Sequence, residues 1–281
     1  MADNVQPNRA LSRLLAVLRS FSSDQPELSA AELYRKTRMP KATVHRLLVN
    51  LTKEGLLEQS TITSTYRIGP ALYELGALYL STTDIIKAAK PVTEALNDFT
   101  GEAVLVGTFT GNHVIVVLKE ESKHVFRFAR TIGSIYFAHA SSMGKAFLSE
   151  LSDAEIDKLY PEEELQLIAP KTIATKTELK RNLEQIRNTG VSFTDEETSK
   201  ETAAVASLIR DASGKAVASM TIPVQTFRMT PANYPRLVTL VKMGCSLISY
   251  RLGYADVAEP VRDIGEIRSW FEQNYLNSAP L

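Results

Sequence analysis

Residues Arg38 to Gln59, RMPKATVHRLLVNLTKEGLLEQ, decide how the head of the chain folds. Val44, Leu47, Leu48 and Leu51 follow the i, i+3, i+4, i+7 spacing of one helical stripe. The other side carries Ala42, His45, Arg46, Val49 and Asn50, with Lys41 and Thr43 at the leading end. Pro40 suits a first turn, where its missing N–H costs nothing. One face is thus apolar enough for a core. The other is small, hydrogen-bonding and cationic, which is the chemistry a DNA major groove accepts. The helix N-terminus with Lys41 can hold a phosphate, and Arg46 can reach a phosphate or a guanine edge. Two plainer readings compete: a solvated polar face on a small helical domain, or a winged helix used for protein contacts.

Upstream, NRALSRLLAVLRSF (8–21) sets Leu11, Leu14, Leu15, Leu18 and Phe21 on one helical stripe, and SSDQPE reads as the turn that ends it. Ser29 followed by Glu32 is a capping-box signature, with Ala31, Leu33 and Tyr34 expected inward. Downstream of Gly55, Leu57 and Gln59, a polar tip, then Tyr66 and Ile68 read as a two-stranded hairpin. Its tip offers Thr61, Thr63 and Thr65 to a ligand. Three helices and a hairpin make a winged helix-turn-helix over residues 1–69.

Pro70 opens a helix read as a linker over 70–83, with Leu72, Leu75, Tyr79 and Leu80 available for burial. A second helix runs from Asp84 to Gly101, and Pro91 inside it either kinks it or marks its true start. From Glu102 the pattern changes to strands: AVLVGTF, HVIVVLKEE, HVFRFAR and SIYFAH. SSMGKAFLSEL and a segment beginning at Ser152 read as helices. TKTELKRNLEQIRNTG is an amphipathic helix with Leu179, Leu183 and Ile186 inward and Gly190 as its cap. Three strands follow, VSFTDEE, TAAVASLIR and AVASMTIPV, then a long helix begun at Pro231. Mixed hairpins and helices predict an antiparallel sheet with helices against it over 84–254, so the fold class is α+β. The tail, 255–281, places Val261, Ile264, Ile267, Trp270 and Phe271 on one side of a helix from Pro260, fit to dock on the α+β domain or on a sister subunit.

Composition narrows the function. No apolar run is long enough to cross a bilayer, and the N-terminus shows no secretory h-region. The single cysteine, Cys245, allows no internal disulfide or multi-cysteine zinc site, which fits a cytoplasmic setting. Up to Ile68, ten Lys and Arg stand against six Asp and Glu. The remainder holds 22 against 26, so a basic head sits on an acidic body. MGKA resembles the end of a phosphate-binding loop, but His139 and Ala146 break the pattern. His45, His113, His124 and His139 show no ligand spacing, and neither a metal nor any other cofactor is expected. Ser141–Ser142 has no identifiable base and acid partners, and Cys245 in an apolar helix reads as core. An enzyme of small acyl compounds with the winged helix as a dimerisation arm, or a protein-interaction adaptor, are the rival functions.

PKATVHRLL, HASSMGKAFLSELSDAEI and GVSFTDEE with AAVASLIRDASGKAVASMTI carry a resemblance to the IclR-type bacterial transcription regulators, from Asn8 to Tyr254. The resemblance implies a ligand-responsive, non-enzymatic regulator that is a homodimer or homotetramer. It implies a winged helix on a near-palindromic operator and a GAF-like C-terminal α/β effector-binding domain for a small organic acid. DNA contacts are then expected from Lys41, Ala42, Thr43, His45, Arg46 and Asn50, with Thr61, Thr63 and Thr65 at the wing. In related sensors the positions of Ser142 and Met143 hold the ligand through backbone amides. A helix start after a strand offers free N–H groups there, unless Ser141 simply caps them. Phe137, His139, Thr194, Ala204, Val205 and Met220 are the other expected lining residues. His139 alternatively is a hydrogen-bonded strand-end residue. Thr194 stands where the family usually has Asp, and Ala204 where Cys is common. A less acidic, roomier site for a larger ligand, aromatic acids included, is the expectation.

Overall fold

The computed structural model describes residues 9–22, 25–82, 84–124, 131–255 and 261–275. They form two compact units, 1–82 and 83–281. The architecture is α+β.

In the first unit, helices α1 (Arg9–Leu18), α2 (Ala30–Thr37) and α3 (Lys41–Lys53) enclose a core of Val17, Leu28, Leu33, Val44, Leu48 and Leu51, closed by Leu57 and Tyr66. The capping box at α2 forms: Ser29 Oγ accepts from the Glu32 amide, and the Ser29 amide donates to Glu32 at 2.8 Å. The stripe of α1 is rotated from the expected one. Val17 is its buried residue, while Leu11 (55% exposed) and Leu15 face solvent. Leu14, Val17, Leu18 and Phe21 satisfy the same spacing and reach the core, whereas Leu11 lies a turn beyond it. On α2, Ala30 packs inward and Ala31 is exposed. The hairpin is part of a three-stranded sheet, β1 (Glu27–Leu28), β3 (Tyr66–Ile68) and β2 (Leu57–Gln59), in that order. β1 lies at the end of a stretch read as turn; two residues are too few to show a period. Helix α4 (Pro70–Thr82) follows, with Leu72 half-buried and Leu75 exposed, contrary to expectation. The side chains of Tyr79 and Leu80 lie outside the described set.

The second unit is built on a six-stranded antiparallel sheet, ordered β6-β5-β4-β9-β8-β7. Its strands are β4 (Val104–Thr110), β5 (His113–Glu120), β6 (Ile135–Phe137), β7 (Ser192–Asp195), β8 (Thr202–Arg210) and β9 (Ala216–Gln225). The strand expected at HVFRFAR falls on residues 125–130, outside the described residues. α5 (Asp84–Thr100) and α9 (Asn233–Arg251) pack on one face. Pro91 lies inside α5, which begins at Asp84, and α9 begins two residues beyond Pro231. α6 (Ser142–Leu148) crosses the other face, covered by α7 (Asp153–Leu159) and α8 (Lys176–Thr189). Thr175 caps α8 at one end and Gly190, at φ 71°, at the other. α10 (Ile264–Tyr275) docks on α9 and α5 of its own unit. Ile267 and Val261 are buried there, and Phe271 stacks on Phe99 at 5.4 Å. The expected start of this helix at Pro260 lies outside the described residues.

Candidate nucleic-acid interface and sensor site

The helix-turn-helix is built by chain geometry first. α2 ends on Arg38 in the left-handed region (φ 53°), its N–H donating to the Tyr34 carbonyl at 3.0 Å. Two residues later Pro40 opens α3 with no side-chain cap. The amides of Thr43 and Val44 both return to the Pro40 carbonyl, at 2.9 and 3.1 Å. Among the described residues, the Lys41 and Ala42 amides donate to nothing, so the positive end of the helix dipole is open. Val44, Leu48 and Leu51 are buried and hold the helix from below. Lys41, Ala42, His45, Arg46, Val49 and Asn50 are exposed, and Thr43 is half-buried. The side chains of Lys41, His45, Arg46 and Asn50 make no hydrogen bond or ion pair with a described residue. A row of donors is therefore left to an outside partner.

The wing is more self-satisfied than its sequence suggests. Thr65 donates to the Glu27 carboxylate at 2.9 Å, so in the 2.6 Å contact with Thr63 it is Thr63 that donates. Ser60 Oγ accepts from the amides of Ile62 and Thr63, which fixes the tip. Arg67 is neutralised by Glu58 at 2.7 Å. Thr61 and Ile62 are the groups that protrude, Ile62 92% exposed.

In the second unit the sheet register sorts the expected lining residues. Thr221 Oγ1 donates to the Val205 carbonyl at 2.9 Å, so Ser142 Oγ donates to Thr221 at 3.0 Å. Thr221 therefore faces α6. Its neighbours across the sheet, Leu105 on β4, Ala206 on β8 and Ser192 on β7, share that face. One step along, Thr194 and Ala204 are paired and lie on the same side, beside Pro223. Ser142, Met143, Thr194 and Ala204 are thus brought to one face, all buried.

Val205 and Met220 are not. Each is one residue out of phase with Ala206 and Thr221, so each points to the α5–α9 side, where a Cβ added at Gly244 would come 2.7 Å from Met220 Cε. Strand alternation corrects that part of the sequence reading. Phe137 sits on edge strand β6, paired with His113 and separated by four strands from Thr194. His139 is buried, and Nε2 meets the Gln166 carbonyl at 2.8 Å, which is the strand-end alternative. Burial holds its pKa below the ordinary imidazole value, partly offset by that hydrogen bond.

At the start of α6, Ser141 Oγ accepts from the Gly144 amide at 3.2 Å and donates to the Phe137 carbonyl. This satisfies one amide of the first turn. Those of Ser142 and Met143 donate to no described residue. The sequence reading missed Thr221 and Ser192. Ser192 Oγ is buried with no partner among the described residues. Ser192 could have been found by carrying the period of two through VSFTD, which puts it in phase with Thr194, whereas the face of Thr221 is set by the register of β9 on β8. The buried Lys145–Glu197 ion pair, at 2.8 Å, had no local signal because its members lie in different elements. Among the described residues no group of His, Cys, Asp and Glu could hold a metal, and no helix is long and apolar enough to cross a membrane.

Two family descriptions match the chain: the IclR helix-turn-helix domain over residues 10–61, and the bacterial transcriptional regulator IclR C-terminal domain over residues 77–250. The HTH-type transcriptional regulator BhcR of Paracoccus denitrificans is 26% identical over 258 residues, 92% of this chain and 90% of that protein. The HTH-type transcriptional repressor AllR of Escherichia coli K12 is 29% identical over 245 residues, covering 87% and 90%. The crystal structure of an IclR homolog from Microbacterium hydrocarbonoxydans complexed with 4-hydroxybenzoate aligns with a TM-score of 0.73 at 20% identity, over 86% of this chain and 98% of that one.

Proposed function

The chain belongs to the IclR family of bacterial transcriptional regulators, a helix-turn-helix head joined to a ligand-responsive sensor, and from that premise we propose how its residues divide the work. Lys41, Ala42, His45, Arg46 and Asn50, with Thr43 at their edge, enter the major groove of a near-palindromic operator. The wing adds Thr61, with Thr63 and Thr65 holding its shape. The observation that carries this is the open, unpaired and uncapped polar face of α3. Like most helix-turn-helix readers, the protein acts as a homodimer or homotetramer, one head per half-site. Its setting is the cytoplasm.

The effector is a small organic acid, aromatic acids included. It lies between α6 and the sheet, its carboxylate on the Ser142 and Met143 amides and its body over Thr221, Ala204 and Thr194. The unpartnered Ser192 hydroxyl supports a ligand with a polar group on this face. The 4-hydroxybenzoate bound by the Microbacterium relative supports the acid class. We read the chain as a regulator rather than an enzyme: Ser141 and Ser142 are committed to the Phe137 carbonyl and the Thr221 hydroxyl, and among the described residues no base hydrogen-bonds to either.

A gel shift on the DNA upstream of the gene, with and without a panel of small carboxylic acids, tests both halves. Arg46→Ala is expected to weaken operator binding by about 1–3 kcal/mol. Wild-type affinity of that variant in matched salt would refute the groove assignment. No response of the wild type to any acid would refute the effector class.

A further inference from the structure

We propose that Lys145 and Glu197 are positioning residues of the sensor: their ion pair ties the start of α6 to the loop joining β7 and β8, and so shapes the effector face. This rests on the small-acid reading above.

The loop, residues 196–201, connects the two strands that carry Thr194 and Ala204. It is held in a conformation it would not keep unaided. Glu196 and Glu201 have φ of 53° and 58°, the left-handed region that costs a residue with a Cβ. Among the described residues several contacts fasten it to the α6 side of the unit, including the Lys171–Glu196 ion pair at 3.0 Å. Lys145 Nζ donates to both Glu197 carboxylate oxygens, each at 2.8 Å. Thr198 Oγ1 donates to the Ala140 carbonyl at 2.6 Å, two residues before Ser142. Thr172 Oγ1 donates to the Glu197 carbonyl at 2.6 Å.

Lys145 is three residues beyond Ser142 on α6 and its side chain is 0% exposed, while that of Glu197 is 12% exposed. A cation so placed finds no water if its partner leaves. It therefore drives the loop shut over the helix that carries the proposed carboxylate seat. The single ammonium sits between both carboxylate oxygens, so the pair fixes the distance of the loop from the helix and satisfies two of the three ammonium donors. The loop and the first turn of α6 thus move as one piece. An effector that shifts α6 shifts the β7–β8 hairpin with it.

Three forms of the full chain separate positioning from stability: Glu197→Gln, the apolar pair Lys145→Met with Glu197→Leu, and wild type. Glu197→Gln leaves a buried charge unpaired and is expected to lower the melting temperature. The apolar pair is expected to recover most of that loss, because such replacements are often neutral or stabilising. In both variants the amides of residues 196–201 and 141–143 should exchange hydrogen about tenfold faster or more, with those of α8 unchanged. Operator release by the same acid panel should need higher concentrations in both, with unliganded operator affinity unaltered. Recovery of wild-type exchange and wild-type acid response by the apolar pair would overturn the proposal, leaving the ion pair a fold element only. Exchange that rises evenly through the unit would overturn it too. If no acid moves wild type but exchange changes as described, the small-acid reading falls and the fastening stands.

Discussion

At Gly144 the chain allows no side chain. A Cβ there would stand 2.2 Å from Ala138 Cα and 2.3 Å from the Ala138 carbonyl oxygen, both backbone atoms that cannot swing aside. Gly144→Ala should therefore destabilise the second unit by about 1–3 kcal/mol, the usual cost of overpacking, in denaturant melts. His139 gives a pH signature. Its folded pKa is depressed by burial below the ordinary imidazole value of about 6.5, so the unfolded chain takes up the proton first. Stability contributed by neutral His139 is present above about 6.5 and lost as pH falls below it. Melts between pH 7 and 5 should show this loss, and His139→Gln should flatten it. Cys245 is buried, with its thiol pushed up to about 12, so a thiol reagent should label it only after unfolding. At this scale the sequence was most legible where a residue's role depends on its own helix. The exposed face of α3 could be reasoned from spacing, whereas Thr194 and Ala204 were expected together only through the family resemblance and their pairing needed the fold. Val205 and Met220 were misplaced because the reading kept their neighbourhood and ignored their phase. Lys145 and Glu197 could not be paired at all without the fold.

Elements were legible in proportion to their length. α8 shows its Gly190 cap and its stripe in the letters, while its Thr175 cap came from the structure. β1, two residues long, has no pattern, and α1 offers two overlapping leucine stripes that only the core decides between. The helix α10 is the element most open to test. It buries Ile267 and Val261, stacks Phe271 on Phe99, and sets the Arg268 guanidinium 5.5 Å over the same Phe99 ring. Ending the chain after Ala255 should lower the melting temperature of the second unit and increase binding of a hydrophobic dye. An unchanged melt would mean that α10 merely rests on the surface.

For the whole molecule, charge is arranged rather than abundant. The net charge is zero, yet the residues up to Ile68 hold ten cations against six anions. Operator binding should therefore weaken steeply with salt, and Lys41→Ala should reduce the slope of log affinity against log salt by about one. A slope unchanged in that variant would remove Lys41 from the phosphate contacts.

Sheet order and helix docking also govern how the chain is made. Strand β4 lies in mid-sheet against β9, with Leu105 opposite Thr221, and α5 is covered by α10. During translation, β4 and α5 emerge from the ribosome well before either partner exists. Phe99 and the inner edge of β4 must wait uncovered while more than a hundred residues are added. Such a nascent chain keeps apolar surface and an unpaired strand edge open to other chains, and slow translation late in the gene would prolong that wait.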